Sequence, residues 1–206
     1  MQTAHIKAEE LPLRGLRIVP SVQDLHSSFK GTSVKSGDRA MRALIQRVHR
    51  AEVRCESGPV NRIGRGYLVL LGIHGQDGPE EVRALARRIA TLRLMPDAKG
   101  VMNLGLLEMN GPSAGEHADG PEGKAGEVLL VSQFTLFADA RRGRRPYYGN
   151  AAPPEKAIPL YEAMAAALRA EGVGVACGVF GDHMDLGIEA DGPVTVLLDT
   201  DELSRQ

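Results

Sequence analysis

The chain has no tryptophan, four tyrosines, four phenylalanines and two cysteines among its 206 residues. Cys55 and Cys177 lie far apart and in no C-x-x-C arrangement, which excludes a zinc signature and a disulfide framework. They read as two reduced thiols. No apolar run approaches the roughly 18 residues that a membrane span needs. The first fifteen residues carry Glu9 and Glu10 and lack the apolar stretch of a secretory signal. A soluble, cytoplasmic protein is expected. Charge of one sign is also missing. Lys and Arg number 25 against 26 Asp and Glu, a net of −1, which excludes a protein that coats nucleic acid through bulk positive charge. The histidines are scattered, with no H-E-x-x-H and no pair at i,i+4, so no metal and no cofactor is expected.

What is present is ordinary globular usage, 43% hydrophobic and 25% charged, enough for a real core. Residues 1–40 differ from the rest. They are rich in Ser and Gly, lack sustained periodicity and carry a net charge of +2, leaving −3 on the remainder. They read as a flexible extension, which an upstream start codon would also explain. Residues 41–206 read as one domain. A glycine- and proline-rich stretch, 111–126, interrupts it as a solvated loop, because nothing there can bury apolar area.

Period places the elements. Ala51, Val53 and Cys55 alternate with charged residues as a half-buried strand. Tyr67 to Leu71 is an apolar run of strand length, and Glu127 to Phe134 reads as a second buried strand. Asp77 to Arg93 reads as an amphipathic helix with Val82, Leu85, Ala86 and Ile89 inward, opened by Asp77 and Glu80 at cap spacing. Pro154 to Glu171 reads as another helix, stopped by Gly172, with Pro159 starting or bending it. Alternation resumes over 173–179, 184–189 and 194–198. The pattern predicts an α+β fold whose sheets are covered by two helices.

Few segments carry chemistry. Gly111-Pro112-Ser113-Ala114-Gly115 matches G-x-S-x-G, but it lies in the glycine-rich stretch, without the strand and helix that a nucleophile elbow requires. Asp182-His183 is an adjacent acid–histidine pair, and sequence neighbours do not face one another, so it reads as surface or packing. Ser132-Gln133-Phe134-Thr135-Leu136 is an apolar strand that turns polar at its end, where side chains and backbone N–H groups can face a ligand; it reads equally as a strand with a polar face. Asp191-Gly192-Pro193-Val194-Thr195 reads as a turn between two strands. Arg141 to Tyr148 gathers four arginines and two tyrosines. Arginine forks suit phosphates and tyrosine faces suit bases, though a solubilising loop has the same composition.

Taken in order, these segments resemble one family, the bacterial and eukaryotic D-aminoacyl-tRNA deacylases. The resemblance runs from Met41 (MRALIQRVHRAEV) through Gly66–Gly72, Met102-Asn103-Leu104, Val131–Leu136 and Arg142–Pro146 to Asp191–Thr195. One departure stands out: where the family usually has Asn two residues before the Gly of Gly-Pro, this chain has Ala190. The resemblance implies an editing hydrolase that cleaves the ester of D-aminoacyl-tRNA, and glycyl-tRNA, and spares L-aminoacyl-tRNA. It implies a homodimer in which the Ser132, Gln133, Phe134 and Thr135 strand end of one subunit meets a Gly192–cis-Pro193 loop, with Thr195, from the other. It further implies antiparallel or mixed sheets closed into a barrel-like core, and catalysis assisted by the neighbouring ribose hydroxyl, with backbone N–H groups near Phe134 and Thr135 as the candidate donors to the oxyanion. Arg142, Arg144, Arg145, Tyr147 and Tyr148 are the residues expected to grip tRNA. The alternative is a protein that binds the aminoacyl-tRNA end without turning it over.

Overall fold

The computed structural model describes residues 40–110, 126–141 and 143–203. The expectations for 1–39, for the stretch 111–125 with its G-x-S-x-G match, and for Arg142 lie outside the described residues. Eight strands follow in chain order: β1 (Arg42–Cys55), β2 (Asn61–Ile63), β3 (Gly66–Gly72), β4 (Met95–Pro96), β5 (Met102–Leu104), β6 (Glu127–Ser132), β7 (Gly174–Cys177) and β8 (Met184–Asp199). Helix α1 is Pro79–Thr91, α2 is Pro154–Ala170, and α3 is the short C-terminal Thr200–Leu203.

The main sheet runs β2-β1-β3-β6-β7, with β8 added along the other side of β1. Pairings around β1 are antiparallel, whereas β3–β6 and β6–β7 are parallel. The sheet is mixed and curls towards closure: the Asn61 side-chain amide of β2 donates to the Cys177 carbonyl of β7 at 2.7 Å. The expected barrel-like α+β core is present.

Both faces of the central strands are buried, which explains their continuous apolar runs. In β3, Tyr67, Val69 and Leu71 point to the helix side while Leu68 points into the barrel; in β6, Val128 and Leu130 oppose Leu129 and Val131. Helices α1 and α2 cover the outer face with Val82, Leu85 and Ile89, and with Leu160, Met164 and Leu168. Tyr161 of α2 spends its buried hydroxyl on the carbonyls of Leu130 and Gly178, and burial pushes its phenol well above the ordinary value.

Element ends depart from expectation in four places. Helix α1 is capped by Gly78, whose N–H donates to Glu81 at 2.8 Å; the pair Asp77–Glu80 does not form the cap. Asp77 instead lies buried one residue earlier and accepts the His74 N–H at 2.6 Å. Pro159 does not start α2, which begins at Pro154, because the N–H it lacks would have faced the carbonyl of the exposed Glu155 in the first turn. Strand β6 stops at Ser132, and Phe134–Phe137 forms a 3-10 turn.

The fourth departure is the largest. Asp191–Thr195 is not a turn between two strands, since β8 continues through it. Gln46 pairs with Thr195 and Val48 with Ala190, so four residues of β8, 191–194, bulge out opposite Arg47 alone. The buried Arg47 guanidinium replaces the missing ladder. Its Nε donates to the Asp191 carbonyl at 3.1 Å, Nη2 to the Asp191 carboxylate at 3.0 Å and Nη1 to the Leu94 carbonyl at 2.7 Å. Arg65 approaches the same carboxylate at 3.7 Å. Tyr67 fastens the Leu92–Leu94 segment from behind, and burial pushes its phenol up to about 12.

Removing Arg47 leaves the Asp191 carboxylate without its hydrogen-bonded cation, with only the longer approach of Arg65. Arg47→Met is expected to lower unfolding free energy by about 3 kcal/mol, read as a shifted denaturant midpoint; a shift smaller than a surface substitution gives would show that the pair is dispensable. A second test uses pH. Burial pushes the Asp77 carboxyl up to about 7 from an unfolded value near 3.8. The folded state therefore holds a proton that the unfolded state has lost, and stability falls as pH rises from about 4 to 7. Asp77→Asn keeps the acceptor for His74 without the charge, so its stability relative to the parent should climb across that window. A pH-independent difference would refute the raised carboxyl.

Candidate active site

The end of β6 opens into a cleft of about 300 Å³ walled by Val131–Phe134, by the Phe180–Met184 segment after β7 with Leu186, by Leu71 and Ile73 at the end of β3, and by Ala152 and Ala157 around the start of α2. Ser132, Gln133 and Phe134 line it together. Thr135 follows in the 3-10 turn, where its hydroxyl accepts from the Gln133 amide.

The turn exists because several groups hold it. The Gln133 N–H donates to the Leu71 carbonyl at 2.8 Å, extending the β3 edge by one bond. Arg42 donates to the Leu136 carbonyl at 3.0 Å, lies 4.9 Å over the Phe137 ring and pairs with Asp199. Gly72 lets β3 approach: a Cβ there would stand 3.0 Å from Phe137 and 3.1 Å from Leu136. Among the described residues no acceptor faces the N–H groups of Phe134 or Thr135. Two donors are thus left at the mouth of the cleft beside an aromatic ring that is 57% exposed.

The far wall is equally supported. Phe180 meets the buried Tyr161 ring edge-on at 5.9 Å. The Asp182 carboxylate accepts from the N–H and hydroxyl of Ser57 at 2.8 and 2.9 Å, which commits it to fastening the segment. His183 is exposed and lies 3.7 Å from Asp185, so Asp182 and His183 form no dyad. Burial pushes the Cys177 thiol up, away from nucleophilic use, with Arg169 partly opposing. Among the described residues no cluster of His, Cys, Asp or Glu is placed to hold a metal ion, and no helix is long and apolar enough to cross a membrane.

The other expected site residues lie elsewhere. Gly192 and Pro193 sit exposed at the crest of the β8 bulge, joined by a cis peptide, and do not line this cleft; Thr195 is exposed on β8 opposite Gln46. Gly192 has φ of +143°, and a Cβ on it would stand 2.5 Å from the Val194 nitrogen. Of the arginine segment, Arg144, Arg145 and Tyr147 are exposed, and Tyr148 meets Phe134 edge-on at 5.1 Å, which brings the segment to the cleft. Arg141 is engaged by Asp139. A larger hollow of about 610 Å³ over β1, β2 and β8 has its charges spent on one another, Arg50 on Glu189 and Arg62 on Glu52.

Sequence reasoning missed two contributions. Arg47 and Asp191 support the bulge; an arginine inside an otherwise apolar alternation was the available signal. The Phe180–Met184 wall gave none, because only the fold brings it opposite Ser132.

A family model for D-Tyr-tRNA(Tyr) deacylase matches residues 44–199. A D-aminoacyl-tRNA deacylase of Anaeromyxobacter dehalogenans is 47% identical over 163 residues, covering 79% of this chain and 99% of that protein. One from Thermus aquaticus is 45% identical over 162 residues, covering 79% and 97%. Among solved structures, a c-Myc DNA unwinding element binding protein aligns at a TM-score of 0.63 and 32% identity, covering 76% of this chain and 97% of that one. A probable eukaryotic D-amino acid tRNA deacylase shares the fold at a TM-score of 0.61 and 17% identity, covering 78% and 99%. With its free N–H groups at a supported cleft and its matching frame from β1 through β8, the chain belongs to the D-Tyr-tRNA(Tyr) deacylase family.

Proposed function

We propose that the protein hydrolyses the ester joining a D-amino acid, or glycine, to the terminal adenosine of tRNA, and rejects L-aminoacyl-tRNA by shape. The observation that carries this is the β6 end: two backbone N–H groups, at Phe134 and Thr135, that meet no acceptor among the described residues, beside a cleft whose Asp182 carboxylate is committed to Ser57 and forms no dyad with His183. Water attacks the ester carbonyl carbon, negative charge builds on the carbonyl oxygen, and the carbon–oxygen bond to ribose breaks to give free amino acid and tRNA. Fixed donors aimed at that oxygen lower the barrier without reorganising. The ester is already activated, and the vicinal ribose hydroxyl is held where it can position or activate water, so a protein base is not required. Ser132 and Gln133 orient the ester, and Gln133 holds the Thr135 hydroxyl.

Selection falls to Gly192 and Pro193. Both are exposed, the Asp191 that precedes them is braced by Arg47, and neither lines the cleft of its own chain, which supports a homodimer in which the bulge of one subunit enters the cleft of the other. A rigid backbone there excludes a side chain on the L side and leaves the D side open. Glycine has no side chain to exclude, so it passes. Rejecting L substrates a thousandfold requires about 4 kcal/mol, within reach of one stiff clash. Arg144, Arg145, Tyr147 and Tyr148 take the RNA end outside the cleft, in the cytosol where charged tRNA is found.

Purified protein mixed with D-tyrosyl-tRNA should release tyrosine while leaving L-tyrosyl-tRNA intact; equal hydrolysis of both, or of neither, refutes the proposal. Gly192→Ala forces an L residue into positive φ and against Val194, and the shifted crest should cut the D-over-L ratio by about tenfold or more. If RNA assists, Thr135→Ala should lower the rate only modestly while a tRNA ending in 2′-deoxyadenosine becomes a poor substrate. Complete loss in Thr135→Ala with full activity on the deoxy substrate would instead make threonine the nucleophile.

A further inference from the structure

The loop from Asp139 to Tyr147 is closed by one residue. The Asp139 N–H donates to the Tyr147 carbonyl at 2.8 Å, and the Asp139 carbonyl accepts from the Tyr147 N–H at 2.9 Å. Its carboxylate then gathers the first arginine. Oδ1 accepts from the Arg141 backbone N–H at 3.0 Å and from Nε at 2.8 Å, and Oδ2 accepts from Nη2 at 2.6 Å. A two-pronged guanidinium contact with an added backbone bond is the geometry in which an exposed ion pair still fixes a conformation. Gly143 follows at φ +72° and turns the chain back.

The consequence is a division among the arginines. Arg141, itself exposed, is tied to Asp139, whereas Arg144 and Arg145 are exposed and have no partner among the described residues. The foot of the loop rests on the cleft through the edge contact of Tyr148 with Phe134. A loop crowded with like charges would otherwise spread over many conformations, and ordering it on a ligand would cost binding energy. Asp139 removes that cost beforehand.

We infer that Asp139 is a positioning residue that holds Arg144 and Arg145 as a phosphate-gripping fork for the RNA strand whose 3′ end enters the cleft. The inference rests on the reading that the substrate is aminoacyl-tRNA. It gives the substrate strand a place outside the reacting centre, on the side of Phe134 and Tyr148. It also separates shape from bulk charge. Asp139→Asn removes a negative charge and frees Arg141, so attraction by net charge alone would tighten RNA binding. Loss of the fork's shape would weaken it.

Full-length protein is compared on D-tyrosyl-tRNA and on D-tyrosyl-adenosine, which has no phosphate, and its affinity for deacylated tRNA is measured by fluorescence anisotropy. For Asp139→Asn, Kd for tRNA should rise about tenfold, and kcat/KM on tRNA relative to the adenosine ester should fall by a similar factor. An unchanged or lower Kd, or an equal loss on both substrates, overturns the inference. For the Arg144→Ala/Arg145→Ala double variant, the slope of log Kd against log salt should shrink by about 1.4, two single-strand phosphate contacts; an unchanged slope overturns it. A protein inactive on both esters that still binds tRNA through this loop would overturn the hydrolysis reading and support the fork.

Discussion

A buried guanidinium has five donors to satisfy, and Arg47 satisfies three of them on two segments that are far apart in sequence. It joins the Asp191 carbonyl and carboxylate on β8 to the Leu94 carbonyl just before β4. The cost of leaving such a charge unpaired in the interior is what makes the arrangement unique. Without it, four residues of β8 would have to find other partners opposite one residue of β1. With it, the exposed Gly-Pro crest is anchored at Asp191, although it has left the ladder. The longest pairing in the sheet can thus carry a protrusion and still close.

The same economy governs the cleft. The groups near it are spent on support: Arg42 on the 3-10 turn and Asp199, Asp182 on Ser57, Tyr161 on two carbonyls and the Phe180 ring. What is left unspent is backbone, the N–H groups of Phe134 and Thr135. A site made of main chain is insensitive to the identity of the amino acid it receives and sensitive to stereochemistry, because peptide groups do not swing aside as side chains do. Supporting residues therefore outnumber the groups that would touch substrate.

Electrostatic placement completes the picture. The chain is close to neutral, yet Asp139 and Arg141 cancel each other within a loop whose other described arginines point outward. Over β1 and β2, Glu52 is likewise taken by Arg54 and Arg62, which hold its carboxyl below the usual range. Positive charge is left unpaired at the foot of the cleft, where Tyr148 touches Phe134. A protein so arranged attracts the end of a polyanion more than its length.

Much of this was present in the residues alone. The continuous apolar runs of β3 and β6 required strands buried on both faces, and the spacing of Val82, Leu85, Ala86 and Ile89 required a helix on a sheet. The motifs at Ser132–Thr135 and Asp191–Thr195 identified the family in order along the chain. Local chemistry determines such things, because periodicity and turn residues act over a few positions. The tertiary structure alone decided that Asp191–Thr195 is a bulge inside one strand, because that depends on which residue of β1 stands opposite. It likewise decided that Phe180 faces Ser132, that Asp182 belongs to Ser57, and that only some of the arginines in the loop stay free. Each of these turns on a partner distant in sequence, and a buried or charged group takes its role from the partner that satisfies it.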